Sequence, residues 1–107
     1  MDEQLINVAM QIILHAGDAR NFAIDALKAA KEFDFKAANK LMEKANDSMI
    51  EAHKAQTETI QNEMNGEKHE YSILFSHAQD TLMTVMSEIN MSKEMIDILE
   101  IISKKVK

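Results

Sequence analysis

In the stretch LFSHAQDTLMT, residues 74–84, a histidine and an aspartate stand three positions apart, His77 and Asp80. On a helix this spacing places both on one face, one turn from each other. Three chemistries are open to such a pair. Asp80 can accept the imidazole N–H and leave the other ring nitrogen free as a nucleophile. The two side chains can ligate one metal ion together. Or Asp80 alone can offer its carboxylate to a hard cation such as magnesium, which prefers oxygen ligands. One carboxylate per chain is a poor site, whereas several meeting on a symmetry axis make a better one. The competing reading is an ordinary surface or interface pair, because polar i,i+3 partners are common on helices.

The other histidines carry less. His15, in IILHAGDAR, lies in or beside an apolar face and reads as a packed or hydrogen-bonded side chain. His53 lies in EAHKAQT, one turn before Gln56, and His69 falls where a helix should start and is expected to be exposed. There is no HExxH pattern and no Gly-rich phosphate loop, and the Ser and Thr hydroxyls have no visible triad. The nine methionines serve best as gap-fillers in a thin core.

Composition narrows the class. The formal net charge of −6 argues against nucleic acid, whose phosphates would be repelled, and fits solubility or a basic protein partner. With no cysteine there are no disulfides, thiolate nucleophiles or Cys-ligated zinc, which suits the cytosol. No apolar run is long enough to span a bilayer, and the first residues lack a signal-peptide pattern. A cytoplasmic protein is therefore expected.

The elements that must position His77 and Asp80 are helices. Proline is absent, glycine occurs only at Gly17 and Gly66, and Ala, Met, Leu, Ile, Lys and Glu dominate the 107 residues. A first apolar stripe runs Leu5, Ala9, Ile12, Ala16, Ala19, Ala23, Ala26, Ala30, alternating spacings of four and three. Gly17 interrupts this helix at a cost of about 1 kcal/mol relative to alanine and is expected to allow a close contact or a slight bend. Asp34, in KEFDFKAA, suits an N-cap, with Phe33 and Phe35 closing that end. A second stripe follows at Ala38, Leu41, Ala45, Ser48, Ala52, Ala55 and Thr59, and Asn65-Gly66 makes a strong stop. The third stripe is Tyr71, Phe75, Ala78, Leu82, Val85, Ile89, with a weak spot at Asn90 and Ser92 that leaves a kink open, and the apolar phase resuming at Met95, Ile98, Leu99 and Ile102. The pattern predicts an all-α protein, one up-down-up three-helix domain, with helices over about 3–31, 35–63 and 69–104.

The third helix carries a second row beside its core stripe: Glu70, Ile73, His77, Asp80, Thr84, Ser87. A simply solvated face should hold more Lys and Glu. The row instead suggests a face turned toward other copies of the chain, as in a ring of identical helices about a symmetry axis.

Read as a whole, the stretch from HAGDARNFAIDALKAAKEF through AHKAQTETIQNE to HAQDTLMT resembles the enzyme IIA component of the lactose/cellobiose-type bacterial sugar phosphotransferase system, over about Gln4 to Ser103. AGDAR, AHKAQT and HAQDTLMT are the most specific pieces. The resemblance implies a homotrimer of three-helix bundles, nine nearly parallel helices in all. It implies that His77 is phosphorylated on its Nε2 (tele) nitrogen by the phosphocarrier protein HPr. The group would then pass to a cysteine of the IIB component, which serves the membrane permease IIC in uptake of a β-linked disaccharide. Asp80 would share one magnesium ion with its two symmetry mates. Many members carry histidine directly after the aspartate, where this chain has Thr81, which can still donate a hydrogen bond. Two other classes compete: a helical adaptor without chemistry, with His77 as a packing residue, and a carboxylate–histidine metalloenzyme, for which the ligand set is sparse.

Overall fold

The structure, a computed structural model, describes residues 3–66 and 72–106. It holds three α-helices in the order α1 (Glu3–Lys31), α2 (Phe35–Met64) and α3 (Ile73–Lys105). All three run along a rod of 59 × 19 × 18 Å. The radius of gyration is 17.0 Å, against about 13 Å for a compact domain of this length. A rod has a thin core, and the sequence accommodates that with small side chains. Alanine supplies most of the buried residues of α1, and Ile12, Leu82 and Val85 are the largest side chains that are fully buried.

The α1 stripe is buried over its whole length, from Leu5 to Ala30. In α2 the core row is rotated slightly from the expected one. Met42 and Met49 are buried beside Ala38, Ala45, Ala52 and Thr59, while Leu41, Ser48 and Ala55 are half-buried at the margin. The flexible thioether fills what a thin Ala-lined seam leaves open, so methionine takes the inner place.

Local chemistry sets the helix ends. The Asp34 side chain accepts from the Ala37 N–H at 3.2 Å and caps α2. Phe33, at φ 60°, stacks on Phe35 with ring centroids 5.9 Å apart. Asn65 caps the far end, followed by Gly66 at φ 98°, a left-handed conformation that glycine adopts without a Cβ clash. Helix α3 starts later than its pattern suggested. Ser72 is extended and its hydroxyl accepts from the Phe75 N–H at 3.1 Å, which makes it the N-cap. The expected start at Lys68 to Glu70, and Tyr71 of the expected stripe, lie outside the described residues.

Helix α3 runs on through Asn90 and Ser92. One expectation for α3 is overturned: the core row does not move onto Met95, Ile98 and Ile102. It continues straight on through the buried Ser92, Ile96 and Ser103. Serine is tolerated there because its hydroxyl bonds within its own helix: Ser92 donates to the Glu88 carbonyl at 2.8 Å and Ser103 to the Glu100 carbonyl at 2.7 Å. The displaced apolar residues Met91, Met95, Ile98, Ile101 and Ile102 therefore face outward, between 43% and 56% exposed.

α1 packs closely on α2 and on α3, whereas α2 and α3 touch far less. Among the described residues one flank of α3 is thus left without a neighbour. The chain exposes 7122 Å², against about 6,000 Å² for a folded monomer of its mass.

Candidate functional site

His77 lies in the second turn of α3, held there by the Ser72 cap and by a core row, Ala78, Leu82 and Val85, that locks the helix onto α1. Because the core row takes Ala78, its neighbour His77 must point sideways, and it is exposed. Asp80, one turn on, is exposed as well. Both belong to an outward heptad row, Ile73, His77, Asp80, Thr84, Ser87, all exposed. The structure extends that row beyond Ser87 into Met91, Met95, Ile98 and Ile102. The face is polar around His77 and apolar toward the C-terminal end.

His77, Asp80, Thr81 and Thr84 form one wall of an open groove, and Ile13, Gly17 and Arg20 of α1 form the other. The groove encloses roughly 450 Å³, many times the ~30 Å³ share of one water in the liquid. No hydrogen bond or ion pair joins His77 to Asp80, and among the described residues neither side chain has another polar partner. Asp80 does not orient the imidazole, so both ring nitrogens are open to a reagent. The two threonines satisfy themselves within the helix. Thr81 donates to the His77 carbonyl at 2.9 Å and Thr84 to the Asp80 carbonyl at 2.8 Å. The hydrogen bond that Thr81 can donate is thus directed at the backbone and away from the imidazole.

Arg20 crosses from α1 to α3. Its Nε donates to Glu88 Oε1 at 2.7 Å and its Nη2 to Oε2 at 3.2 Å. This fork-on-carboxylate geometry is the strong form of such a pair, though both side chains stay 40–46% exposed, which keeps its worth small. Past Arg20 the groove continues as an apolar trough lined by Ile24, Leu27, Met91 and Met95. Ile13 reads from sequence as a flank of the apolar stripe, and Arg20 carries no role there. The signal was present, since Ile13, Gly17, Arg20 and Ile24 recur at spacings of four and three beside the core stripe.

Gly17 does not show the close contact expected of it. A Cβ built there would meet nothing within 4 Å among the described residues.

The remaining histidines stand apart from this groove. His15 lies in a separate one between α1 and α2, with Gln11, Glu51, Lys54 and Glu58. His53 is half-buried on α2, and His69 lies outside the described residues. Among the described residues no group of three or more His, Asp or Glu side chains is arranged to hold a metal ion. Within one chain Asp80 is a lone carboxylate. No described helix is long and apolar enough to cross a membrane.

Comparison with known proteins covers nearly the whole chain. The sequence signature of the lactose/cellobiose-specific IIA subunits of the PTS system matches residues 7–100. The lichenan-specific phosphotransferase enzyme IIA component of Bacillus subtilis is 42% identical over 105 residues, covering 98% of this chain and 96% of the relative. The crystal structure of the PTS cellobiose-specific enzyme IIA from Bacillus anthracis superposes with a TM-score of 0.92 at 40% identity, over 98% of this chain and 96% of that one. A IIA(chitobiose) chain solved in complex with HPr, from the N,N'-diacetylchitobiose system, gives a TM-score of 0.83 at 35% identity, over 96% of this chain and 99% of that one.

Proposed function

The chain belongs to the lactose/cellobiose-specific IIA subunits of the sugar phosphotransferase system, and from that membership we propose that His77 carries the phosphoryl group. The donor is the phosphocarrier HPr, and the acceptor is a cysteine of the IIB component. The observation that carries the reading is the His77 ring itself. It is exposed at a groove, and among the described residues no hydrogen bond occupies either nitrogen. A neutral imidazole is a nucleophile near neutral pH. In the first transfer its Nε2 lone pair forms a bond to phosphorus as the bond from phosphorus to the donor breaks and returns its electron pair to the donor. In the second, the Nε2–P bond breaks and the IIB thiolate takes the phosphoryl group on sulfur. Positioning and charge stabilisation carry most of such a transfer, so few catalytic side chains are needed. A solved relative in complex with HPr supports the choice of donor.

The working form is a homotrimer of nine helices. The unpartnered flank of α3, its row of outward Met and Ile, and the surface in excess of a monomer's all support it. Burying that flank would shelter the phosphohistidine from bulk water and slow its hydrolysis. Asp80 from three copies would supply oxygen ligands to one magnesium ion, which keeps several waters in its octahedral shell. The ion would offset the mutual repulsion of the three carboxylates.

The sugar is a β-linked disaccharide selected by the membrane permease IIC, since in this relay the IIA subunit hands phosphate to IIB without touching sugar. Relatives named for cellobiose and N,N'-diacetylchitobiose share this chain's architecture, and one named for lichenan shares 42% of its sequence, which supports placing specificity elsewhere.

Incubation with phosphoenolpyruvate, enzyme I and HPr tests the relay. An acid-labile phosphate on His77, absent in His77→Ala, is the expected result. No label on a chain with native helix content overturns it and leaves the adaptor reading.

A further inference from the structure

Two backbone bonds close α1 at its C-terminal end. The Asp34 N–H donates to the Ala29 carbonyl at 3.0 Å and the Phe33 N–H to the Ala30 carbonyl at 2.9 Å. This is the Schellman pattern, whose left-handed residue is most often glycine because a Cβ is crowded there. Here that residue is Phe33, at φ 60°. Glycine or asparagine would make the same two bonds without a large ring. Nor does the ring fill the core. Phe35 packs against the buried cluster, whereas Phe33 stacks on Phe35 and stays 44% exposed. A strained backbone that holds an aromatic ring in water points to a function for the ring. We infer that the end of the rod carrying Phe33 is a docking surface for an anionic phospholipid membrane. The inference goes beyond the relay reading and holds whether or not His77 carries phosphate.

Charge selects an anionic occupant. Leu27 of α1 and Met95 of α3 share one groove, and Asn39 of α2 and Ile96 of α3 share another, so the C-terminal end of α3 lies at the end of the rod that holds the Phe33 turn. This end gathers Lys28 and Lys31 of α1, Lys36 of α2, and Lys104 and Lys105 of α3, all exposed. The carboxylates among them are Glu32, Asp34 and Glu100. Asp34 accepts from the Ala37 N–H, and Glu100 lies 3.7 Å from Lys104. Five lysines against three carboxylates make this end positive on a chain whose formal net charge is −6. The rod is 59 Å long, whereas the Debye length is about 8 Å at physiological salt. A flat anionic surface touching this end therefore senses the lysines and not the acidic remainder of the chain.

Size selects a membrane over a protein. The rod is 19 × 18 Å across, and an end of that cross-section falls well short of the ~800 Å² each partner buries in a standard protein interface. Lipid docking needs less: an aromatic ring set into the headgroup region, with lysines around it that reach anionic phosphates. Val106, 67% exposed next to Lys105, adds a second apolar group at this end. His77 is roughly 40 Å from Lys105 along α3 at the helical rise. Docking by the Phe33 end therefore leaves the groove of His77 open to other proteins.

The test is co-sedimentation with sucrose-loaded vesicles, made either of equal parts phosphatidylcholine and phosphatidylglycerol or of phosphatidylcholine alone, with far-UV circular dichroism on each variant. The native chain is expected to pellet with the anionic vesicles at about 0.05 M salt, and to stay in solution with neutral vesicles or at about 0.5 M salt. Phe33→Gly suits the left-handed turn, so it is expected to keep its helix content while its partition coefficient falls at least about threefold. Lys31→Glu and Lys105→Glu are each expected to lower the coefficient at least about fivefold. Lys54→Glu makes the same change of net charge in the middle of α2 and should stay within a factor of about two of native. No pelleting of the native chain overturns the inference, as does an equal loss in Lys54→Glu or undiminished pelleting of Phe33→Gly. Capture of fluorescent poly-glutamate, read by anisotropy, in the absence of vesicle pelleting overturns the membrane in favour of an acidic protein partner.

Discussion

The Thr81 hydroxyl donates to the carbonyl of His77 at 2.9 Å, one turn back along α3. The bond ties residue 81 to the helix backbone and leaves the imidazole untouched. Thr81→Val keeps the shape and removes only the hydroxyl, and valine matches threonine in helix propensity. Thermal and urea unfolding should change by no more than about 0.5 kcal/mol. The rate of His77 phosphorylation by phospho-HPr should stay within a factor of about two of native, well under 1 kcal/mol in the barrier. A collapse in that rate would mean the hydroxyl leaves the backbone to serve the phosphoryl group.

Asp80 reports on assembly. Asp80→Leu should form trimers that ignore chelators, because apolar side chains can replace a cluster of confined charges. The native trimer should weaken when EDTA strips the magnesium, and Asp80→Lys should weaken it by repulsion with or without metal. Analytical ultracentrifugation of the three proteins in EDTA and in magnesium separates these cases. Equal native assembly in both buffers would remove the metal from the account.

The outward Ile98, 55% exposed, belongs to the apolar end of the second α3 row. Ile98→Glu should leave the helix content of the chain intact and raise the concentration needed for assembly at least tenfold, about 1.4 kcal/mol at the interface. Size-exclusion chromatography with light scattering reads this directly. An unchanged profile would mean that this end of the face stays in water.

Leu82, with no exposed surface, is the reference for the core. Leu82→Ala should cost about 2–5 kcal/mol in urea unfolding at fixed protein concentration, from lost burial and the cavity left behind. Ile50→Ala, at a site 52% exposed on α2, should stay within about 0.5 kcal/mol.

Periodicity and caps were legible in the sequence because they are local. The eight buried residues of α1 follow from a repeat of four and three. The Asp34 cap follows from one side chain and one N–H. The pairing of His77 with Asp80 on one face needs nothing more than the helical turn. Membership in the IIA family was legible for the same reason, since its motifs are contiguous strings of residues.

Wherever two helices compete for one side chain, the sequence was silent. Serine reads as polar and methionine and isoleucine as apolar, so the core row of α3 seemed to step onto Met95 and Ile98. Packing against α1 keeps the row on Ser92 and Ser103, whose hydroxyls bond inside their own helix, and turns the larger residues outward. Likewise Gly17 and Arg20 join the groove of His77 only through the placement of α1 beside α3. Helix type and face are set by interactions within about one turn of chain. Which face is covered, and by what, is set by contacts between residues far apart in sequence, and these exist only once the helices have packed.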